Sequence, residues 1–259
     1  MSLVEVSGLH FRYPSVRGRG ALPWTLENLN LSIDAASSVG VVGESGSGKS
    51  TLVRILCGLL VHQQGEVRFD GRELKEWLED DPRELRRRNQ IVFQSPRRSL
   101  DPRMSIRRSL SQPVRAIERR APSDAEMTEW LERVGLTDEL LPRFPHQLSG
   151  GQLQRIGVAR ALSVGPEVLY ADEPTSALDV SVQAQVLNLL MDLRAELGLT
   201  LVMVSHDLAV ISRICEQVIV MKDGRIVEAG LMTDVLANPS DPYTAALVES
   251  ARMVSLKRT

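Results

Sequence analysis

Gly43-Glu-Ser-Gly-Ser-Gly48-Lys49-Ser50 is the stretch that most restricts what this chain can fold into. It fits the pattern G-x-x-x-x-G-K-[ST], and its flanks fit too. Val39–Val42 reads as a strand and Thr51 to Leu60 as a helix. Gly43, Gly46 and Gly48 let the backbone wrap closely. The N–H groups of the loop, through Glu44, Ser45 and Ser47 to Thr51, can then point inward at phosphate oxygens. The positive end of the following helix adds to that attraction. Lys49 can reach β- and γ-phosphates, and the Ser50 hydroxyl can ligate Mg²⁺. A glycine-rich turn that merely carries a lysine is the plainer alternative, and the matched strand and helix weigh against it. The loop reads as a nucleotide site.

Holding phosphate is not hydrolysing it, so a second set of groups is needed. Val168-Leu-Tyr-Ala-Asp172-Glu173 is an apolar strand ending in two carboxylates, and ligands bind beyond such strand ends in open α/β sheets. Asp172 suits Mg²⁺, directly or through water, and Glu173 suits the orientation and deprotonation of an attacking water. About 120 residues separate Ser50 from Asp172, against the ~30 of a simple βαβ unit. A folded insertion must fill that gap. Within it, Leu148-Ser-Gly-Gly-Gln152 precedes the helix-like Leu153 to Leu162, which makes a second helix end able to face an anion. Two such ends in one chain suggest nucleotide bound from two sides, across a dimer.

Periodicity supplies the frame around these motifs. β-like runs occur at Val4–Val6, Leu29–Ile33, Glu66–Phe69, Leu199–Val204, Val218–Met221 and Arg225–Ala229, and Asp70-Gly71 and Asp223-Gly224 are hairpin signals. Val182, Val186, Leu189, Leu190, Leu193 and Leu197 give one apolar helix face. Between Pro82 and Val164 the chain is polar, with prolines 96, 102, 113, 122, 142 and 145 expected to break it into short helices such as the one carrying Leu131, Val134 and Leu136. The net charge is −2. That balance argues against a general nucleic-acid binder, and two cysteines exclude a disulfide scaffold. The N-terminus shows no secretory signal, and no apolar run nears the ~18–20 residues of a membrane span. A soluble chain with a peripheral membrane role is the expectation.

From Val4 to about Leu247 the chain resembles the ATPase subunits of ATP-binding cassette transporters, on the loop at 43–50, Gln94, Leu148–Gln152, Asp172-Glu173, Ser176-Ala-Leu-Asp179 and His206. The resemblance implies an α/β P-loop NTPase with an antiparallel β subdomain and an inserted α-helical subdomain. The nucleotide-binding core with its β subdomain would span 1–94 and 165–230, the helical signature subdomain 95–164, and a C-terminal helical tail 231–259. It implies a head-to-tail dimer in which Ser149, Gly150, Gly151 and Gln152 meet the partner's ATP and Asp179 crosses the seam. It further implies that Gln94 joins Ser50 and Asp172 around Mg²⁺ and sits at the attacking water, that His206 bonds the γ-phosphate, and that Tyr13 stacks on adenine, with Phe11 its competitor. Histidines 10, 62 and 146 lack metal-ligand spacing and read as structural.

Longer strings are similar to the dipeptide, oligopeptide and nickel importer group: Val92–Arg103, Asp172–Gln185, Ser205-His-Asp-Leu and Asn238-Pro-Ser-Asp-Pro-Tyr-Thr244. The last lies, on this reading, outside the hydrolytic machinery. Ser95 and Asp101 depart from the group's usual Asp and Asn, and the short end after Pro-Tyr-Thr leans toward metal chelates while leaving peptides open. Two transmembrane permeases and, indirectly, an extracytoplasmic binding protein would be partners at the cytoplasmic face of the inner membrane. Arg97, Arg98, Arg103, Arg107 and Arg108 could grip a permease helix or anionic lipid, or simply be a solvated face. The rivals are an accessory cassette in a soluble complex such as carbon–phosphorus lyase, and a DNA-repair cassette. The latter needs coiled-coil or zinc inserts that this sequence does not show.

Overall fold

The computed structural model describes residues 2–14, 22–176 and 178–256. Ala177 in the Ser176–Asp179 string, residues 257–259 of the expected tail and the Arg98 side chain lie outside the described residues. In chain order come β1 (Ser2–Phe11), β2 (Leu26–Asp34), β3 (Ser38–Val42), α1 (Lys49–Leu56), β4 (Gln64–Phe69), β5 (Arg72–Glu73) and α2 (Leu74–Asp80). There follow α3 (Pro82–Arg88), β6 (Asn89–Val92), α4 (Pro96–Ser99), α5 (Ile106–Ile117), α6 (Asp124–Arg133) and α7 (Gly150–Leu162). Next are β7 (Val168–Asp172), α8 (Val180–Leu197), β8 (Thr200–Ser205) and α9 (Leu208–Ile211). The last are β9 (Gln217–Lys222), β10 (Arg225–Leu231), α10 (Met232–Ala237) and α11 (Pro242–Leu256). Two units divide the chain: Met1–Pro82 with Thr200–Thr259, and Arg83–Leu199.

In the first unit, β1 buries Val4 and Val6 and, after an irregularity at left-handed Gly8 that shifts the alternation by one, Leu9 and Phe11. It pairs antiparallel with β2 on one side and β4 on the other, giving the order β2-β1-β4-β5. The β4–β5 turn uses Asp70 at φ 52° and Gly71 at φ 73°, and the β9–β10 turn uses Asp223 at φ 47° and Gly224 at φ 76°. Both pairs have the two positive φ angles that a tight hairpin with native twist requires. A second set of strands runs β10-β9-β3-β8, with β3 parallel to both β9 and β8. All five residues of β3 are buried, as expected of a central parallel strand covered on both faces. Helix α1 ends at Leu56, short of the expected Leu60. Gly58 turns left-handed at φ 74°, and the N–H groups of Leu59 and Leu60 both return to the Arg54 carbonyl.

In the second unit β6 and β7 pair in parallel, Val92 opposite Ala171. Between them every described element is helical. Pro113 does not break its segment; it lies inside α5. A helical proline forfeits one backbone bond and costs about 3 kcal/mol. Burying Ile106, Leu110 and Val114 returns about 1.5–3 kcal/mol each, so packing wins. Pro82, Pro96 and Pro145 instead open helical turns, where the missing N–H is no loss. Leu136 falls beyond α6, because Gly135 at φ 68° ends the helix and sends the Leu136 N–H back to Leu131. Helix α8 buries Val186, Leu190 and Leu193, and half-buries Val182, Leu189 and Leu197. Arg160 on α7 is half-buried, donates to the Ser99 carbonyl at 2.7 Å, and so ties α4 to α7. Burial pulls its pKa down.

Candidate active site

In the first unit the loop from Gly43 to Gly48 leaves the end of β3, and Val42 pairs with Ser205 of β8. Gly43 and His206 therefore emerge from neighbouring strand ends on one edge. His206 is exposed, and the following Asp207 caps α9 by accepting from the Ala209 N–H at 2.8 Å. The loop's course is over-determined by packing. Gly48 caps α1 at φ 97°, and a Cβ there would stand 2.5 Å from Leu26 Cδ2. The hairpin tip braces the loop from outside, since the Gly224 N–H donates to the Ser47 carbonyl at 3.2 Å. Glu44, Ser45 and Gly46 are exposed, whereas Ser47, Lys49 and Thr51 are buried.

The Lys49 ammonium donates to the carbonyls of Gly43 and Glu44, at 2.7 Å each. The first turn of a helix directs N–H groups that must be satisfied from outside it, and here those groups belong to Lys49, Ser50 and Thr51. Tyr13 is 38% exposed, and its hydroxyl lies 3.1 Å from Thr51 Oγ1. Phe11 is 3% exposed and packs edge-on against Tyr13. That exposure difference leaves Tyr13, and not Phe11, with a ring face to offer beside the loop.

In the second unit the two carboxylates and Gln94 follow adjacent parallel strand ends. Asp172 is 3% exposed at the end of β7. Glu173 takes φ 46°, a left-handed backbone that a non-glycine residue adopts at a cost of order 1–3 kcal/mol. Its Oε2 accepts from Gln94 Nε2 at 2.7 Å. The N–H of Ser176 returns to the Glu173 carbonyl and closes the turn.

Ser149 caps α7 by accepting from the Gln152 N–H, and Gln152 Oε1 accepts from the Ser149 N–H at 3.0 Å. This reciprocal pair employs both side chains locally and leaves the exposed helix end ready for an anion. Asp179 caps α8 through the Val182 N–H at 2.9 Å, and that bond, aided by the Ser181 hydroxyl, holds its carboxyl below its ordinary pKa. The two helix ends lie side by side. A Cβ on Gly150 would sit 3.3 Å from Leu178, and one on Gly151 would be 2.5 Å from Val182 Cγ1. Gly151 is thus required by packing inside this chain, whatever it meets outside.

Of the arginines between 97 and 108, Arg107 pairs with Asp124, while Arg97, Arg103 and Arg108 are exposed. His62 is buried and its pKa is lowered, chiefly by burial and then by Lys75. Among the described residues no group of His, Cys, Asp or Glu could hold a metal by itself. One residue escaped the sequence reading. Tyr243, in the Pro-Tyr-Thr string set outside the hydrolytic machinery, accepts a hydrogen bond from the Glu44 N–H at 2.8 Å. The string was visible, but nothing local links positions 199 residues apart.

A glycine loop clasping a lysine at the head of a helix, on parallel strand ends, defines a P-loop nucleoside triphosphatase. A family model described as ABC transporter matches residues 26–176, and the chain belongs to that family, as an ATP-hydrolysing ATPase subunit. It is 44% identical over 250 residues to a putative peptide import ATP-binding protein of Brucella ovis, covering 96% of this chain and 78% of that one. It is 43% identical to a dipeptide transport ATP-binding protein of Haemophilus influenzae, covering 98% and 79%. Among solved structures it is similar to a component of an ABC transporter complex from Clostridium perfringens. That match has a TM-score of 0.78, 30% identity, and 92% and 91% coverage. A dimeric ATP-binding cassette bound to ADP and Pi gives a TM-score of 0.77 at 31% identity, covering 88% and 98%.

Proposed function

We propose that this chain energises the uptake of peptides, as a peripheral subunit on the cytoplasmic face of the inner membrane, docked on two permeases fed by a binding protein. What carries the substrate class is similarity over nearly the whole chain to proteins named for peptide and dipeptide import. Those names favour peptides over nickel or metal chelates, and import over an accessory role in a soluble complex. No helix among the described residues is long and apolar enough to cross a membrane, so the permeases would supply the path. In this reading 1–94 and 165–230 form the nucleotide-binding core, 95–164 the signature subdomain and 231–259 the tail.

The chemistry is in-line transfer of the γ-phosphoryl group to water, with the bond to the ADP oxygen breaking as the new one forms. Tyr13 stacks on adenine, and Lys49 holds the phosphates with the loop's N–H groups other than those expected of Glu44 and Ser47, which donate instead to the Tyr243 hydroxyl and the Glu44 carbonyl. Glu173 takes the proton of the attacking water, and His206 donates to a γ-phosphate oxygen. Ser50, Gln94 and Asp172 fit Mg²⁺, since all offer hard oxygen donors. Gln94 is turned with its NH₂ toward Glu173, which leaves its carbonyl oxygen as the ligand face. Bound there, the ion would stabilise charge on the β- and γ-phosphates.

A second cassette would close over this ATP with its own paired α7 and α8 N-termini, through Ser149, Gly150 and Gly151, with Asp179 at the seam. The dimeric solved relative supports such pairing. Closure is then favoured by ATP and lost on hydrolysis, because both faces gain from the γ-phosphate. The test is affinity purification of the chain from its own membranes. Recovery of permeases, with hydrolysis stimulated by peptide-loaded binding protein, is expected; recovery of soluble enzyme subunits alone would overturn the import reading.

A further inference from the structure

We infer that Tyr243, on the C-terminal helix, is a positioning residue for nucleotide binding, acting on the P-loop through the Gly43–Glu44 peptide. This rests on the assignment of that loop as the ATP site. The peptide is gripped on both sides. Its carbonyl, that of Gly43, accepts from the Lys49 ammonium at 2.7 Å, and its N–H, that of Glu44, donates to the Tyr243 hydroxyl at 2.8 Å. An N–H that donates polarises the carbonyl of the same peptide and makes it a better acceptor. Tyr243 thus orients and strengthens the group that holds Lys49 in place. Glycine is required at the first position of this peptide, because a Cβ on Gly43 would lie 2.1 Å from the Met221 carbonyl oxygen.

Tyr243 is itself fixed from three directions. Lys222 Nζ stands 5.1 Å from its ring centroid, within reach of a cation–π attraction. Its N–H donates to Asp241 Oδ1 at 2.8 Å. The start of α11 is anchored by Glu228, whose carboxylate accepts from the N–H groups of Ser240 at 2.8 Å and Asp241 at 3.1 Å. A side chain placed by its own cap, a cation and the Glu228 anchor of its helix carries the helix's position to the loop. Any displacement of α11 is then felt as a change in nucleotide affinity.

The experiment compares the full-length protein with Tyr243→Phe, which keeps the ring and deletes only the hydroxyl. Titration with ATP and ADP should show affinity weakened about three- to tenfold, the range one hydrogen bond spans. In hydrolysis assays the KM for ATP should rise by a like factor while kcat stays within about twofold. Hydrogen exchange should quicken at the Glu44 amide while peptides from β8 and α11 keep their protection, a readout that mere unfolding of the helix would not give. Unchanged affinity and unchanged Glu44 exchange in Tyr243→Phe, with wild type binding ATP normally, would overturn the inference alone. Failure of wild type to bind ATP would instead remove the site assignment beneath it. Lost protection across α11 with the affinity change would assign Tyr243 to folding and also overturn the inference.

Discussion

The two sets of strand ends are built by opposite means. At β3 and β8 the loop is locked by its surroundings: Gly48 against Leu26, Gly43 against Met221, Ser47 under Gly224 and Glu44 under Tyr243. At β6 and β7 the key carboxylate stands on a left-handed non-glycine residue, and its side chain is bonded to Gln94. The first arrangement fixes backbone groups by packing, which suits binding a ligand the same way each time. The second fixes one side chain through another, which suits a group that must change partners as a water attacks. Binding and hydrolysis should therefore fail separately.

The sharpest way to break this contrast is Glu173→Gln. Loss of a general base costs about 10²–10⁴-fold, so phosphate release should fall by that factor while ATP affinity stays within about threefold. Hydrolysis near the wild-type rate would end the role given to Glu173. Lys49→Ala is the complement from the other side. Removing a charged donor to phosphate costs about 1.5–3 kcal/mol, so calorimetry should show ATP affinity lowered about ten- to a hundredfold; equal affinity would undo the contrast.

Gln94→Ala sharpens it further. Glu173 loses its 2.7 Å partner, and kcat should drop about tenfold, with KM moving far less. A larger change in KM than in kcat would place Gln94 with the binding groups instead. The smallest effect concerns Glu228. Burial opposes its ionisation, but the N–H groups of Ser240 and Asp241 outweigh that and hold its pKa below the ordinary 4.5. A depressed carboxyl stabilises the fold above its unfolded value and loses that contribution as pH falls through the folded one. Thermal melts of Glu228→Gln should therefore differ from wild type at neutral pH and converge with it as the pH drops below about 4. A gap that persists undiminished in acid would assign the difference to packing.

Legibility followed the range of the interactions. The hairpins at Asp70-Gly71 and Asp223-Gly224, the strands and the apolar face of α8 were readable because each depends on neighbours within a few residues. Helix ends were less so. Leu136 and Leu60 fell outside their helices because left-handed glycines at 135 and 58 stopped them, and Pro113 entered α5 because buried apolar contacts outweighed a lost hydrogen bond. The motif residues could be named, yet their company could not. That Phe11 is buried and Tyr13 exposed, or that Gly151 abuts Val182, depends on which surfaces the fold covers.

What the sequence determined alone was the phosphate loop, the carboxylate strand, the signature helix start and the periods of the surrounding elements. These are local because backbone dihedrals, capping and amphipathic spacing are set within one or two turns of chain. The tertiary structure alone decided that Gln94 grips Glu173 across 79 positions and that Tyr243 reaches Glu44 across 199. Such pairs leave no trace in spacing, since closing a long loop costs entropy that depends only weakly on its length. Burial elsewhere in the molecule, and no feature of the two residues themselves, brings them together.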